Sequence, residues 1–212
     1  MVGLLLVGCG ADAESDGASD TDPSASAESG SSSASASTEA PFVLPETCSG
    51  LLSLEAIDAG LGSRITGTTQ YVVGVPEPGI GRTGRVTCSY GVIPNADGTS
   101  SAPLVQASVF TYDSAESAAD RVDIVVSQGR DAGSRIQDVP VGEYAGVVII
   151  SVTEATLVVA VRDRNYAITL APGLVSDDEL AQAMASLAQS AINGGQPITT
   201  TTAPTATPTG TS

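Results

Sequence analysis

Residues 147–170, VVIISVTEATLVVAVRDRNYAITL, constrain the fold more than any other stretch of this chain. Three β-branched runs, 147–152, 156–161 and 166–170, follow one another with only Thr153-Glu154-Ala155 and Arg162-Asp163-Arg164-Asn165 between them. Parallel neighbours need a long crossover, so connections this short force an antiparallel meander. The first two runs are apolar at successive positions, not only at alternate ones. Both sides of the sheet's centre therefore need cover, most simply from helices on one side.

Two earlier segments alternate in the same way. RVTCSYGVI (85–93) is bounded by Pro94 and the turn Ala96-Asp97-Gly98, and LVQASVFTY (104–112) follows, so the two pair as a hairpin with a long loop. Residues 63–82 are rich in Gly and Pro and read as an irregular connection around an edge strand at 70–75, while DVPVGEYAG (138–146) reads as a loop. Three helices complete the pattern. The first covers 53–61, capped by Ser53, with Leu54, Ile57 and Leu61 on one side. The second opens on the capping box Asp113-Ser114-Ala115-Glu116, buries Ala118, Ala119, Val122, Val125 and Val126, and stops after Gln128 at Gly129. The third opens on Ser176-Asp177-Asp178-Glu179, carries the stripe Leu180, Met184, Leu187, Ala188 and Ile192, and ends at Asn193-Gly194. The expected fold class is α+β, an antiparallel sheet of about five strands with helices packed on it, in the order α-β-β-α-β-β-β-α.

The ends of the chain follow different rules. LLLVGCG (4–10) matches the lipobox of a bacterial lipoprotein, so residues 1–8 read as a truncated signal peptide and Cys9 as the thiol that receives diacylglycerol. The apolar run 2–7 is short and no basic residue precedes it, so the translation start is expected further upstream. Behind Cys9, residues 10–40 carry seven acids, no base and no apolar periodicity. They cannot bury enough surface to offset ordering entropy, and 9–40 is expected to be a disordered, lipid-anchored tether spanning on the order of 30 Å. Residues 194–212, GGQPITTTTAPTATPTGTS, hold no charge and read as a second disordered tail, a candidate for O-glycosylation. A single domain is left between residues 41 and 193.

Composition restricts chemistry by what it omits. The chain has 8 basic residues, all Arg, against 24 acids, a net charge of −16, and neither His nor Lys. No imidazole base, His-containing triad or His metal site can form, and no Schiff base or P-loop ammonium is available. The charge balance repels nucleic acid and anionic headgroups. A carboxylate pair acting on cell-wall glycan is the surviving enzymatic alternative, but 17 acids between residues 41 and 193 make some pair inevitable. No catalytic residue, metal or cofactor is assigned. The expected function is a non-enzymatic, monomeric module of the envelope that binds a lipid, small molecule or protein; a structural or regulatory envelope subunit is a further alternative. With Cys9 taken by lipid, Cys48 and Cys88 are expected to form a disulfide in an exported domain. Tyr71, Tyr90, Tyr112, Tyr144 and Tyr166 are the aromatic candidates for a ligand surface, and Arg162 and Arg164 the candidates for gripping an anionic group.

Taken in order, Cys9 with its tether, CSGLLS (48–53), VTCSY (86–90) and DVPVGEYA (138–145) resemble the DUF3558-type lipoproteins of actinobacteria. The resemblance implies an α+β domain held at the outer face of the cell membrane, and transfers no catalytic residue.

Overall fold

The computed structural model describes residues 42–198; the expected signal peptide 1–8, lipidated Cys9, tether to residue 40 and the tail beyond residue 198 lie outside the described residues. Thr47 caps a single-turn helix, α1 (Cys48–Leu51), and Ser53 caps α2 (Leu54–Leu61) by accepting the Ala56 amide at 3.1 Å. There follow β1 (Thr68–Gly74), a 3-10 turn (Pro78–Ile80), β2 (Arg82–Val92), β3 (Val105–Tyr112), α3 (Ala115–Asp131), β4 (Arg135–Val141), β5 (Tyr144–Ile150), β6 (Ala155–Val161), β7 (Arg164–Leu170) and α4 (Asp177–Ile192). All seven strands join one antiparallel sheet in the order β1-β2-β3-β7-β6-β5-β4.

The class is α+β, but the described residues form seven strands, not about five, and the element order differs from the expected one. The segment read as a loop, 138–146, is the end of β4, a turn at Gly142 and Glu143, and the start of β5. Pro140 argues against a strand in a sheet interior, yet β4 is an outer edge, where one flank makes no ladder bonds and proline is tolerated. α1 is absent from the expected order because one turn shows no periodicity. α3 continues through Gly129 to Asp131: a Cβ there would stand 2.6 Å from Ile149 Cγ2, so this glycine marks a close approach to β5 and not a helix end. Its cap is Ser114, which accepts the Ser117 amide, in place of Asp113.

Alternation along the strands sorts the core into two faces. Val86, Cys88 and Tyr90 of β2 share one face with Val105, Ala107 and Val109 of β3, Ile168 and Leu170 of β7, and Leu157 and Val159 of β6. Leu51, Leu52, Ile57, Met184 and Leu187 close over them from α1, α2 and α4. Helix α3 packs on the opposite face, against strand positions such as Ile149 and Asn165. Helices therefore cover both faces, not one, because β5 and β6 are apolar on both. Leu54 and Ala119, expected in the core, are exposed.

The disulfide-side layer is stitched to the sheet by two groups on β2. Cys88 is joined to Cys48 with Cα atoms 5.5 Å apart. Two residues on, the buried Tyr90 hydroxyl donates to the Leu52 carbonyl at 2.6 Å and lies 3.1 Å from that of Cys48. The C-terminal tail does not begin at Gly194 as expected. Gly194 and Gly195, at φ 74° and 81°, turn the chain back so that Gly195 bridges Leu52 in parallel and takes the Ser53 amide at 3.0 Å.

Candidate functional site

The second face of the sheet holds a crevice of about 190 Å³ between α3 and strands β3, β6 and β7. Its apolar walls come from Phe110, Val122, Val125, Val158 and Ala167, and its polar groups from Arg82, Arg121, Tyr112 and Asn165. Val122 and Val125 line it because α3 turns one stripe towards the sheet, and Arg121 then stands at the same flank. Arg82 and Tyr112 are cross-strand partners where β2 meets β3.

The polar groups are not fully satisfied within the protein. Asn165 is 5% exposed; its Nδ2 donates to the Ala118 carbonyl at 2.9 Å, while Oδ1 has no hydrogen-bond partner among the described residues. Arg82 pairs through Nη2 with Glu77, yet its Nε is buried and donates to nothing among the described residues. Arg121 forms no ion pair among the described residues. Burial pushes the Tyr112 hydroxyl above its ordinary pKa, and the charges of Arg121 and Arg82 and a hydrogen bond from Asn165 pull it part of the way back. Among the described residues no carboxylate lines the crevice. A larger groove of about 550 Å³ lies between α2 and α4, but it is open to solvent, and its acids, Asp178 and Glu179, are neighbours on one helix turn. Two carboxylates facing each other across a cleft, the arrangement glycoside cleavage needs, are not found there.

The five residues expected to bind ligand do not form one site. Tyr90 is 1% exposed and serves the α1 attachment. Tyr112 and Tyr166 both line the crevice. Arg164 opens β7 at the end of the sheet, beside the β6–β7 turn. The Arg164 guanidinium lies 4.1 Å from the Phe42 ring centroid and 3.5 Å from Asp163 Oδ1, an ion pair without hydrogen-bond alignment. Arg162, left-handed at φ 56°, occupies the two-residue turn with Asp163. The Tyr144 pKa is raised, chiefly by a hydrogen bond with Glu143, with Arg162 and Arg164 opposing. Tyr71, on the β1 edge, donates to the Pro45 carbonyl at 2.8 Å. Asn165, Arg82 and Arg121, the groups that distinguish the crevice, are not among the residues singled out by sequence. Sequence reasoning places Asn165 in the connection before the last strand, whereas it lies inside β7.

Burial raises the pKa of Tyr90, Tyr112 and Tyr166 above the ordinary 10.0. An acid held neutral in the folded state but free to ionise when unfolded stabilises the fold fully below that value. The stabilisation fades as pH climbs past it. The urea midpoint should thus fall on the alkaline side of 10.0. A midpoint that stays level while the exposed tyrosines ionise would contradict the burial of these hydroxyls.

No family model matches the chain, and no curated protein matches it. Among solved structures, the extracellular domain of PknH from Mycobacterium tuberculosis is similar at a TM-score of 0.43 and 12% identity, over 68% of this chain and 93% of that one.

Proposed function

We propose that this chain is an extracytoplasmic, lipid-anchored binding domain without catalytic chemistry of its own, and that its crevice takes a small amphiphile with an anionic head. The observation that carries the reading is the set of unmet polar groups at one place: buried Asn165 Oδ1 and Arg82 Nε, beside Arg121, which has no ion-pair partner among the described residues. Unsatisfied buried groups cost free energy that a ligand can recover. The two guanidiniums suit a carboxylate or phosphate through charge-assisted bonds. Asn165 Oδ1 accepts from a hydroxyl or N–H beside the anion, and Val122, Val125, Val158 and Ala167 shelter a short hydrocarbon. The crevice is smaller than the roughly 300–1,000 Å³ of drug-sized sites, which points to a compact ligand.

The cellular setting rests on other features. A disulfide tying the first helix to the sheet suits an oxidising compartment. The lipobox at Cys9 supplies the anchor to the outer face of the cell membrane, and the order of the sequence motifs supports kinship with DUF3558-like actinobacterial lipoproteins.

Octanoate is a suitable probe, with 1-octanol as its uncharged control. Backbone amide shifts of Val122, Val125, Asn165 and Ala167 should move saturably with octanoate and not with the alcohol. Arg121→Gln should weaken binding by about tenfold, the loss of one charge-assisted contact. Equal responses to acid and alcohol, or shifts confined to other residues, would remove the anionic-ligand reading.

A further inference from the structure

We propose that β1 is a dimerisation edge, pairing antiparallel with β1 of a second copy so that the two sheets continue into one. A sheet edge is a row of unpaired backbone groups, which proteins ordinarily guard with charge, proline or a covering element. The β4 edge is guarded in this way by Arg135, Asp138 and Pro140. The β1 edge is not. From residue 65 to 76 there is no charged side chain, and Tyr71, Val72, Val73 and Val75 are 40%, 49%, 62% and 78% exposed.

The sequence of β1 is complementary to itself. In a two-fold register centred on Val72, that residue faces its own counterpart and Gln70 faces Gly74 of the second copy. Tyr71 faces Val73 of the second copy, and the same contact recurs through the symmetry. Tyr71 and Val73 share the disulfide face of the sheet, being register partners of Cys88 and Val86, so the aromatic and β-branched side chains meet on one side. Cross-strand pairs of that kind are among the stabilising ones, and a two-fold interface requires such self-matching. Charge points the same way. Residues 42–198 carry 17 acids against 8 Arg, so two copies repel over most of their surface and least where β1 is bare. The guanidinium of Arg85, from β2, lies over Gly74, where this register brings up the uncharged Gln70 of the second copy.

Sedimentation equilibrium on the full chain tests the pairing, in place of the monomer expected from sequence. The wild type should show a reversible monomer–dimer equilibrium. Val72→Asp, which sets two carboxylates against each other at the two-fold axis, should weaken it at least about tenfold. Val73→Lys, a charge of the kind that guards natural edges, should do the same. Val152→Asp, altering a 96% exposed turn residue, should leave it unchanged. Circular dichroism and the intact Cys48–Cys88 bridge report that each variant is folded. A wild type that stays monomeric, or a dimer indifferent to both β1 variants, overturns the proposal. So does a monomer that dimerises only when residues 199–212 are removed, since the Thr-rich segment would then be the occupant.

Discussion

Reducing the Cys48–Cys88 disulfide is expected to lower the unfolding free energy by about 4 kcal/mol, the chain-entropy value for a closure of this length. The bridge spans a sequence separation of 40, and the loop it closes contains α1, α2 and β1. Without it, α1 depends on Leu51 and Leu52 in the core and on the Tyr90 hydroxyl at the Leu52 carbonyl. These contacts all lie within one helical turn, too short to persist by helix propensity alone. Urea unfolding of the oxidised chain and of a Cys48→Ala/Cys88→Ala variant measures the difference. A change under about 1 kcal/mol would mean that the unfolded chain is already compact around this loop, contrary to the entropic account.

Gly195→Ala should be the most damaging single methyl added near the C-terminal end of the domain. Position 195 sits at φ 81°, and a Cβ there runs into the Ser49 carbonyl oxygen and stands 3.1 Å from the Leu52 amide nitrogen. Both obstacles are backbone and cannot rotate away. A left-handed alanine costs about 1–2 kcal/mol and forced overpacking a further 1–3, so the expected loss is about 3 kcal/mol. Gly194→Ala isolates the first contribution. It has nearly the same φ, 74°, but a methyl group there would meet nothing within 4 Å, so about 1 kcal/mol is expected. Equal urea midpoints for the two variants would show that the α4 end does not seat against α1 in solution.

The sheet's centre was legible from its alternating or continuously apolar runs: each of 85–93, 104–112 and the three later runs coincides with a strand for most of its length, although 147–152 overruns β5 by two residues into an exposed turn. The edges were harder. β1 and β4 are exposed, so neither shows a clean apolar face, and Pro140 breaks the pattern at a place where only topology makes it harmless. Glycine misled in both directions. Gly129 signalled a stop but lets α3 approach Ile149, and Gly194 signalled a disordered tail but begins a turn into the core. The crevice could not be read at all. Arg82, Arg121 and Asn165 come from three separate elements, and they meet only because α3 crosses the face of β3, β7 and β6. Candidate residues chosen by chemical type alone scattered across a buried anchor, the crevice and the turn end of the sheet.

The unequal seating of the helices has a kinetic consequence. Helix α4 inserts Met184, Leu187, Ala188 and other residues into the core, whereas Ala118 is the only fully buried residue of α3. Elements held by few apolar contacts open by local fluctuation, without the rest of the domain unfolding. The two walls of the crevice are therefore expected to differ in local stability, and hydrogen exchange should find the amides of α3 less protected than those of β3, β6 and β7.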